Sequence, residues 1–206
     1  MQQVRSKQDQ EQLIPEKVLE SLKNGNQRFI ENKRLQFNYL AQSQQSENAQ
    51  HPEAFVLSCI DSRVPVEIIF DRGVGDLFVA RVAGNIINDD VLGSMEYGCH
   101  VAGAKVIVVL GHQNCGAISA AIKKVELGNI TELLKKIDVE KASISFNGAA
   151  EVDNSNFVSH VCESNVLNSI NEIREGSSLL KTMEDKGEII IRGGVYMINS
   201  GKIEWL

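Results

Sequence analysis

Three short runs of β-branched and aliphatic residues constrain this chain more than any other feature: AFVLS (54–58), LFVARV (77–82) and KVIVVL (105–110). Apolar residues stand at both alternating positions of these runs, as they do in strands covered on both faces. Helical patterns separate them. DDVLGSMEYGCHVAG, between the second and third runs, has acidic residues in its first turn and apolar residues at helical spacing. CGAISAAIKKVELGN follows the third run and reads as a helix closed by Gly128. Strands that alternate with helices pair in parallel through right-handed crossovers. The expected fold is therefore α/β, a mostly parallel central sheet flanked by helices.

The flanking segments are less constrained. IPEKVLESLKNGNQRFIENK predicts a helix with Pro15 in its first turn, a stripe of Ile14, Val18 and Leu22, and a break or weakening at Gly25. The polar, Gln-rich residues before it suggest a flexible N-terminal arm over 1–14, and 15–206 then form a single domain. Residues 34–51 read as a long connection wrapping over a neighbour. Helical patterns recur over 154–175 and 178–185, and 138–153 fit no element. The C-terminal residues EIIIRGGVYMINSGKIEWL predict one or two strands with a hairpin turn at Asn199-Ser200-Gly201.

Composition excludes several classes of function. A net charge of -6 without a Lys/Arg block argues against nucleic acid and against an anionic membrane surface, and no stretch is long and apolar enough for a membrane span. Four widely spaced cysteines, Cys59, Cys99, Cys115 and Cys162, do not make a disulfide framework. As written the chain lacks a signal peptide and reads as cytoplasmic; removal of an upstream leader would make it periplasmic or exported.

The chemistry gathers at one edge. Ligands in open parallel sheets bind at the carboxyl ends of strands. Cys59 follows the first run, His112 and Cys115 follow the third, and Arg81 lies near the end of the second. Two thiolates and an imidazole suit tetrahedral zinc with one position open, whereas hard cations demand oxygen and iron–sulfur clusters more cysteines. From the residues alone, a structural zinc or plain packing stays open beside the catalytic site. Asp61 and Arg63, two residues apart, can pair. The carboxylate can then orient a zinc-bound water or swing in as fourth ligand. GHQNCGA has the glycine spacing of a phosphate loop, but Ala117 stands where that loop needs Lys.

Taken together, CIDSRVP, DLFVARVAGN and VIVVLGHQNCGAI resemble the β-class carbonic anhydrases, over about Pro15 to Tyr196. The resemblance implies a zinc lyase that hydrates carbon dioxide reversibly to bicarbonate and a proton by zinc-bound hydroxide. It implies one Zn²⁺ per subunit on Cys59, His112 and Cys115, with Asp61 and Arg63 as catalytic dyad and Asp61 a fourth ligand only in a closed form. It places Phe78, Val82, Tyr97 and Gly116 around the substrate. Arg81 and Tyr196 match residues of an inhibitory bicarbonate pocket, although Val56 stands where that pocket has Trp. Self-association as a homodimer or homotetramer follows, with no nucleic acid and no membrane span. Rival readings are a zinc hydrase of another heterocumulene, such as carbon disulfide, and a redox- or zinc-sensing protein on the same fold.

Overall fold

The computed structural model describes residues 3–206. Its centre is a five-stranded sheet in the order β2-β1-β3-β4-β5, formed by β1 (Ala54–Ser58), β2 (Leu77–Arg81), β3 (Val106–His112), β4 (Ile190–Tyr196) and β5 (Ile203–Trp205). The first four strands are parallel and β5 returns antiparallel to β4. The three apolar runs thus become the three strands expected of them. Their burial differs, however. Every residue of β1 and β3 is buried, whereas β2, at the sheet edge, is only half-buried. The expected turn lies between β4 and β5, where Gly201 takes φ 76° and its N–H donates to the Met197 carbonyl.

Helices cover both faces. They are α1 (Lys7–Glu11), α2 (Pro15–Ile30), α3 (Tyr39–Gln45), α4 (Val66–Ile69), α5 (Asp89–Glu96), α6 (Gly116–Ile122), α7 (Ile130–Leu134), α8 (Val139–Ser145), α9 (Ser155–Gly176) and α10 (Ser178–Asp185). One core joins Phe55, Leu57, Ile107 and Val109 to α5, α6, α9 and α10. The opposite core joins Val56, Val108 and Leu110 to Val18, Leu19 and Leu22 of α2. Residues of one strand divide between the two cores by the two-residue period of a pleated sheet. Among the described residues no helix is long and apolar enough to cross a membrane.

Four expectations are corrected. Gly25 does not interrupt α2; a Cβ there would collide with the Phe70 carbonyl, so glycine admits close packing. The helix after Cys115 ends at Ile122 rather than at Gly128, because Lys124 turns the chain at φ 51°. The stretch over 138–153 contains α8, capped by the Asp138 side chain. Apart from residues 1–2, which lie outside the described residues, the arm expected to be flexible carries α1 and is docked. Gln10 is 6% exposed, and its Nε2 donates to the Pro52 and Ala102 carbonyls at 2.8 Å each. Amide side chains can anchor a polar segment as firmly as apolar ones, which composition does not reveal.

Candidate metal centre

β1 and β3 are adjacent and parallel, with Ser58 opposite Leu110, so the residues leaving both strands emerge side by side. Cys59 follows β1, His112 ends β3, and Cys115 is the N-cap of α6. Candidate ligand atoms of the three lie within 4.8 Å of one another, and the two sulfurs are 3.9 Å apart. All three residues are buried. His112 Nδ1 lies 3.0 Å from the Gln113 carbonyl oxygen, which accepts only from a protonated Nδ1 and so leaves the Nε2 lone pair free. That Nε2 is buried and has no hydrogen-bond partner among the described residues.

The two cysteines are not equivalent. Hydrogen bonding with Cys115 is the main influence holding the Cys59 thiol well below its ordinary range, helped by His112 and by the Gly84 N–H, 3.4 Å from the sulfur. Cys115 is driven upward by the same shared interaction and by burial. Two charged sulfurs 3.9 Å apart in a buried site would repel one another. A cation that binds both removes this conflict, and the unpartnered imidazole nitrogen supplies a third donor. The S, N, S set therefore fits a borderline-soft, tetrahedral ion.

Asp61 and Arg63 pair as expected. Arg63 Nε donates to Asp61 Oδ1 at 2.9 Å and Nη2 to Oδ2 at 2.7 Å, while the Arg63 backbone N–H also donates to Oδ1. This fork, more than anything else, holds the Asp61 carboxyl far below the usual carboxylate range. Asp61 Oδ2 stands 3.8 Å from His112 Nε2. The carboxylate is thus beside the donor triad, engaged by Arg63, and not one of the clustered donors.

The remaining expected residues are dispersed. Arg81 donates through Nε to the Cys59 carbonyl at 3.0 Å and through Nη2 to the Asp61 carbonyl at 2.5 Å. It clamps the ligand loop, a role the sequence reading missed. Tyr196 is buried in the α2-side core on β4, with β1 and β3 between it and the strand of Arg81. Val82 continues the β2 ladder through its N–H to the Ser58 carbonyl and packs in the core that holds Cys59. Gly116 opens α6, with open space where a side chain would stand. Phe78 and Tyr97 meet edge to face at 6.3 Å and, with Phe55, Asp89 and Ser94, line a groove of about 660 Å³ along the sheet edge. Cys59, His112 and Cys115 do not line that groove.

Similarity to known proteins agrees with this geometry. The family profile described as "Carbonic anhydrase" matches residues 54–203. A carbonic anhydrase of Mycolicibacterium smegmatis is 34% identical over 196 residues, covering 92% of each chain. Carbonic anhydrase 2 of Mycobacterium tuberculosis is 32% identical over 194 residues, covering 91% of each. Among solved structures, the β-carbonic anhydrase CcaA superposes with a TM-score of 0.71 at 23% identity, over 92% of this chain and 93% of that one, a likeness of fold. The β-carbonic anhydrase CafA of Aspergillus fumigatus gives 0.66 at 26% identity, over 82% and 85%.

Proposed function

The chain belongs to the β-class carbonic anhydrase family, a family of lyases, and from that membership we propose that it hydrates carbon dioxide reversibly to bicarbonate and a proton at a zinc ion held by Cys59, His112 and Cys115. One observation carries the zinc assignment. The buried His112 Nε2 has no hydrogen-bond partner among the described residues and lies within 4.8 Å of two buried sulfurs, which would repel if both were charged. Zinc, when bound, acts as a Lewis acid that brings the ionisation of water to about pH 7.

The chain's own residues do the rest. Cys59 and Cys115 hold the ion as thiolates, and the Gln113 carbonyl keeps His112 in the tautomer that offers Nε2. Ionised Asp61, oriented by the Arg63 fork, accepts a hydrogen bond from the attacking oxygen and aims its lone pair. Phe78, Val82 and Tyr97 offer apolar surface to carbon dioxide, and Gly116 leaves open space where a side chain would stand. The triad does not line the groove of Phe78 and Tyr97, so their contribution belongs with a second subunit. Self-association as a homodimer, or as a dimer of dimers, accords with the half-buried edge strand β2 and with Tyr97 and Val101, 53% and 68% exposed. β-Carbonic anhydrases of Sordaria macrospora, which share 23% identity with this chain, are described as tetrameric.

Indicator-coupled stopped-flow measurement of carbon dioxide hydration on zinc-loaded protein, scanned over about pH 6.5–9, tests the reading. Turnover is expected to rise with pH and to vanish, together with stoichiometric zinc, in Cys59→Ser. Hydration no faster than in buffer, with zinc shown to be bound, would overturn it.

A further inference from the structure

Helix α9 buries an apolar face made of Phe157, Val161, Val166, Ile170 and Ile173, yet the same face carries Cys162, Asn165 and Ser169. The last two are 5% and 2% exposed. At spacings of three and four residues they form one stripe. Buried polar groups need partners, so the places where these side chains end indicate what they do. Cys162 Sγ lies 3.5 Å from the carbonyl of His112. Asn165 Nδ2 donates to the Gly84 carbonyl at 2.8 Å, and Ser169 Oγ donates to the Asn85 carbonyl at 3.2 Å.

Gly84 and Asn85 belong to the short 3-10 turn Ala83–Asn85 that follows β2. Both are in the left-handed region, at φ 71° and φ 45°. Two consecutive residues of that kind, one of them not glycine, persist only where the surroundings hold them. Gly84 has a second constraint, since a Cβ there would press on Ile137 at 3.0 Å and Ala117 at 3.3 Å. The turn's result is a single backbone N–H, that of Gly84, pointed at the Cys59 sulfur. A hydrogen bond to a ligating thiolate withdraws charge from sulfur and fixes its orientation, and such outer partners tune the metal they never touch.

We propose that Asn165 and Ser169 of α9 are positioning residues for the metal centre, holding the Gly84–Asn85 turn from outside so that the Gly84 N–H donates to Cys59. The proposal rests on the zinc reading. It assigns to a helix that begins at Ser155, far beyond Cys115 and the other ligands in sequence, a part in setting how strongly one ligand donates. Ser169 and Asn165 act through backbone carbonyls alone, so neither is a catalytic residue.

The test uses full-length protein loaded with Co²⁺ in place of zinc, because thiolate-to-cobalt charge-transfer absorption in the near ultraviolet reports directly on the ligating sulfur. Asn165→Leu is expected to move that band to longer wavelength and to weaken Co²⁺ binding about tenfold in chelator competition. Ser169→Ala should act in the same direction with a smaller effect, and Ser169→Thr, which keeps the hydroxyl, should restore the wild-type band. Ile173→Val, on the same buried face but away from the turn, should lower the melting temperature and leave the band in place. Wild-type band and affinity in Ser169→Ala and in whatever folded Asn165→Leu can be obtained would overturn the proposal, as would an equal shift in Ile173→Val. Ser169→Ala removes only one oxygen and keeps the test open if Asn165→Leu fails to fold. Absence of the band in the wild-type protein would instead strike the metal assignment itself.

Discussion

At the amino end of β1 the buried carboxylate of Glu53 accepts hydrogen bonds from Arg72 Nε at 2.5 Å and from Arg5 Nη2 at 2.6 Å. Arg72 also reaches the Phe70 and Asp71 carbonyls and Ser21 Oγ, and the Glu53 backbone pairs with Asp76 and Lys105. At the carboxyl end of the same sheet, Ser58 Oγ, Asn85 Nδ2 and His112 Nε2 are buried without a hydrogen-bond partner among the described residues. One end is electrostatically closed and the other is left unfinished. Both cost desolvation, but only the first is repaid within the fold. The difference separates polar groups that the fold itself satisfies from polar groups it leaves without partners among the described residues.

That separation can be broken experimentally. Cys115→Ser, at the unfinished end, should abolish stoichiometric zinc and carbon dioxide hydration, while the melting temperature of the metal-free protein changes by only about 2 °C. Glu53→Ala, at the closed end, should do the opposite. It leaves Arg72 buried without its carboxylate, which costs about 3–5 kcal/mol and lowers the melting temperature by about 10 °C, with zinc still bound at one equivalent. Arg5→Ala removes the outer partner of Glu53, together with its contacts to Asp76 and the His51 carbonyl, and should cost about 1 kcal/mol in urea unfolding. The smallest effect concerns Asp76, which burial holds above its ordinary carboxyl range. The folded state then binds protons more tightly than the unfolded one, so this group's stability contribution is present at low pH and lost as pH rises from 3.8 through the raised value. Urea midpoints at about pH 4 and pH 7 should differ less in Asp76→Asn than in the wild type.

Much of the closed framework and of the open site was legible in the chain itself. Val, Ile and Leu at successive positions can be satisfied only by a sheet covered on both sides, and β1 and β3 appear where those runs stand. Cys59, His112 and Cys115 could be joined because parallel strands deliver their exits to one edge. What escaped has particular causes. Gly25 reads as a helix breaker until the Phe70 carbonyl is seen against it. Arg81 looks like an anion contact because its charge is visible in sequence and its backbone acceptors are not. Nothing local in the residues AGN announces two left-handed positions supported by α9. A polar stripe on an otherwise apolar helix was the available signal, and it becomes meaningful only once its distant carbonyl partners are known.

The proximity of the two sulfurs has a consequence for how the chain folds. Cys59 and Cys115 are 56 positions apart in sequence and meet only because β1 pairs with β3. His112 and Cys115 travel together, but the third donor arrives with a non-local contact whose loop-closure entropy must already have been met. An ion held by all three donors would therefore find its full coordination set only once the strands have docked, too late to guide them. Its stabilisation belongs to the native side of the folding barrier, so added zinc should lengthen the lifetime of the folded molecule and leave the speed of its formation nearly untouched.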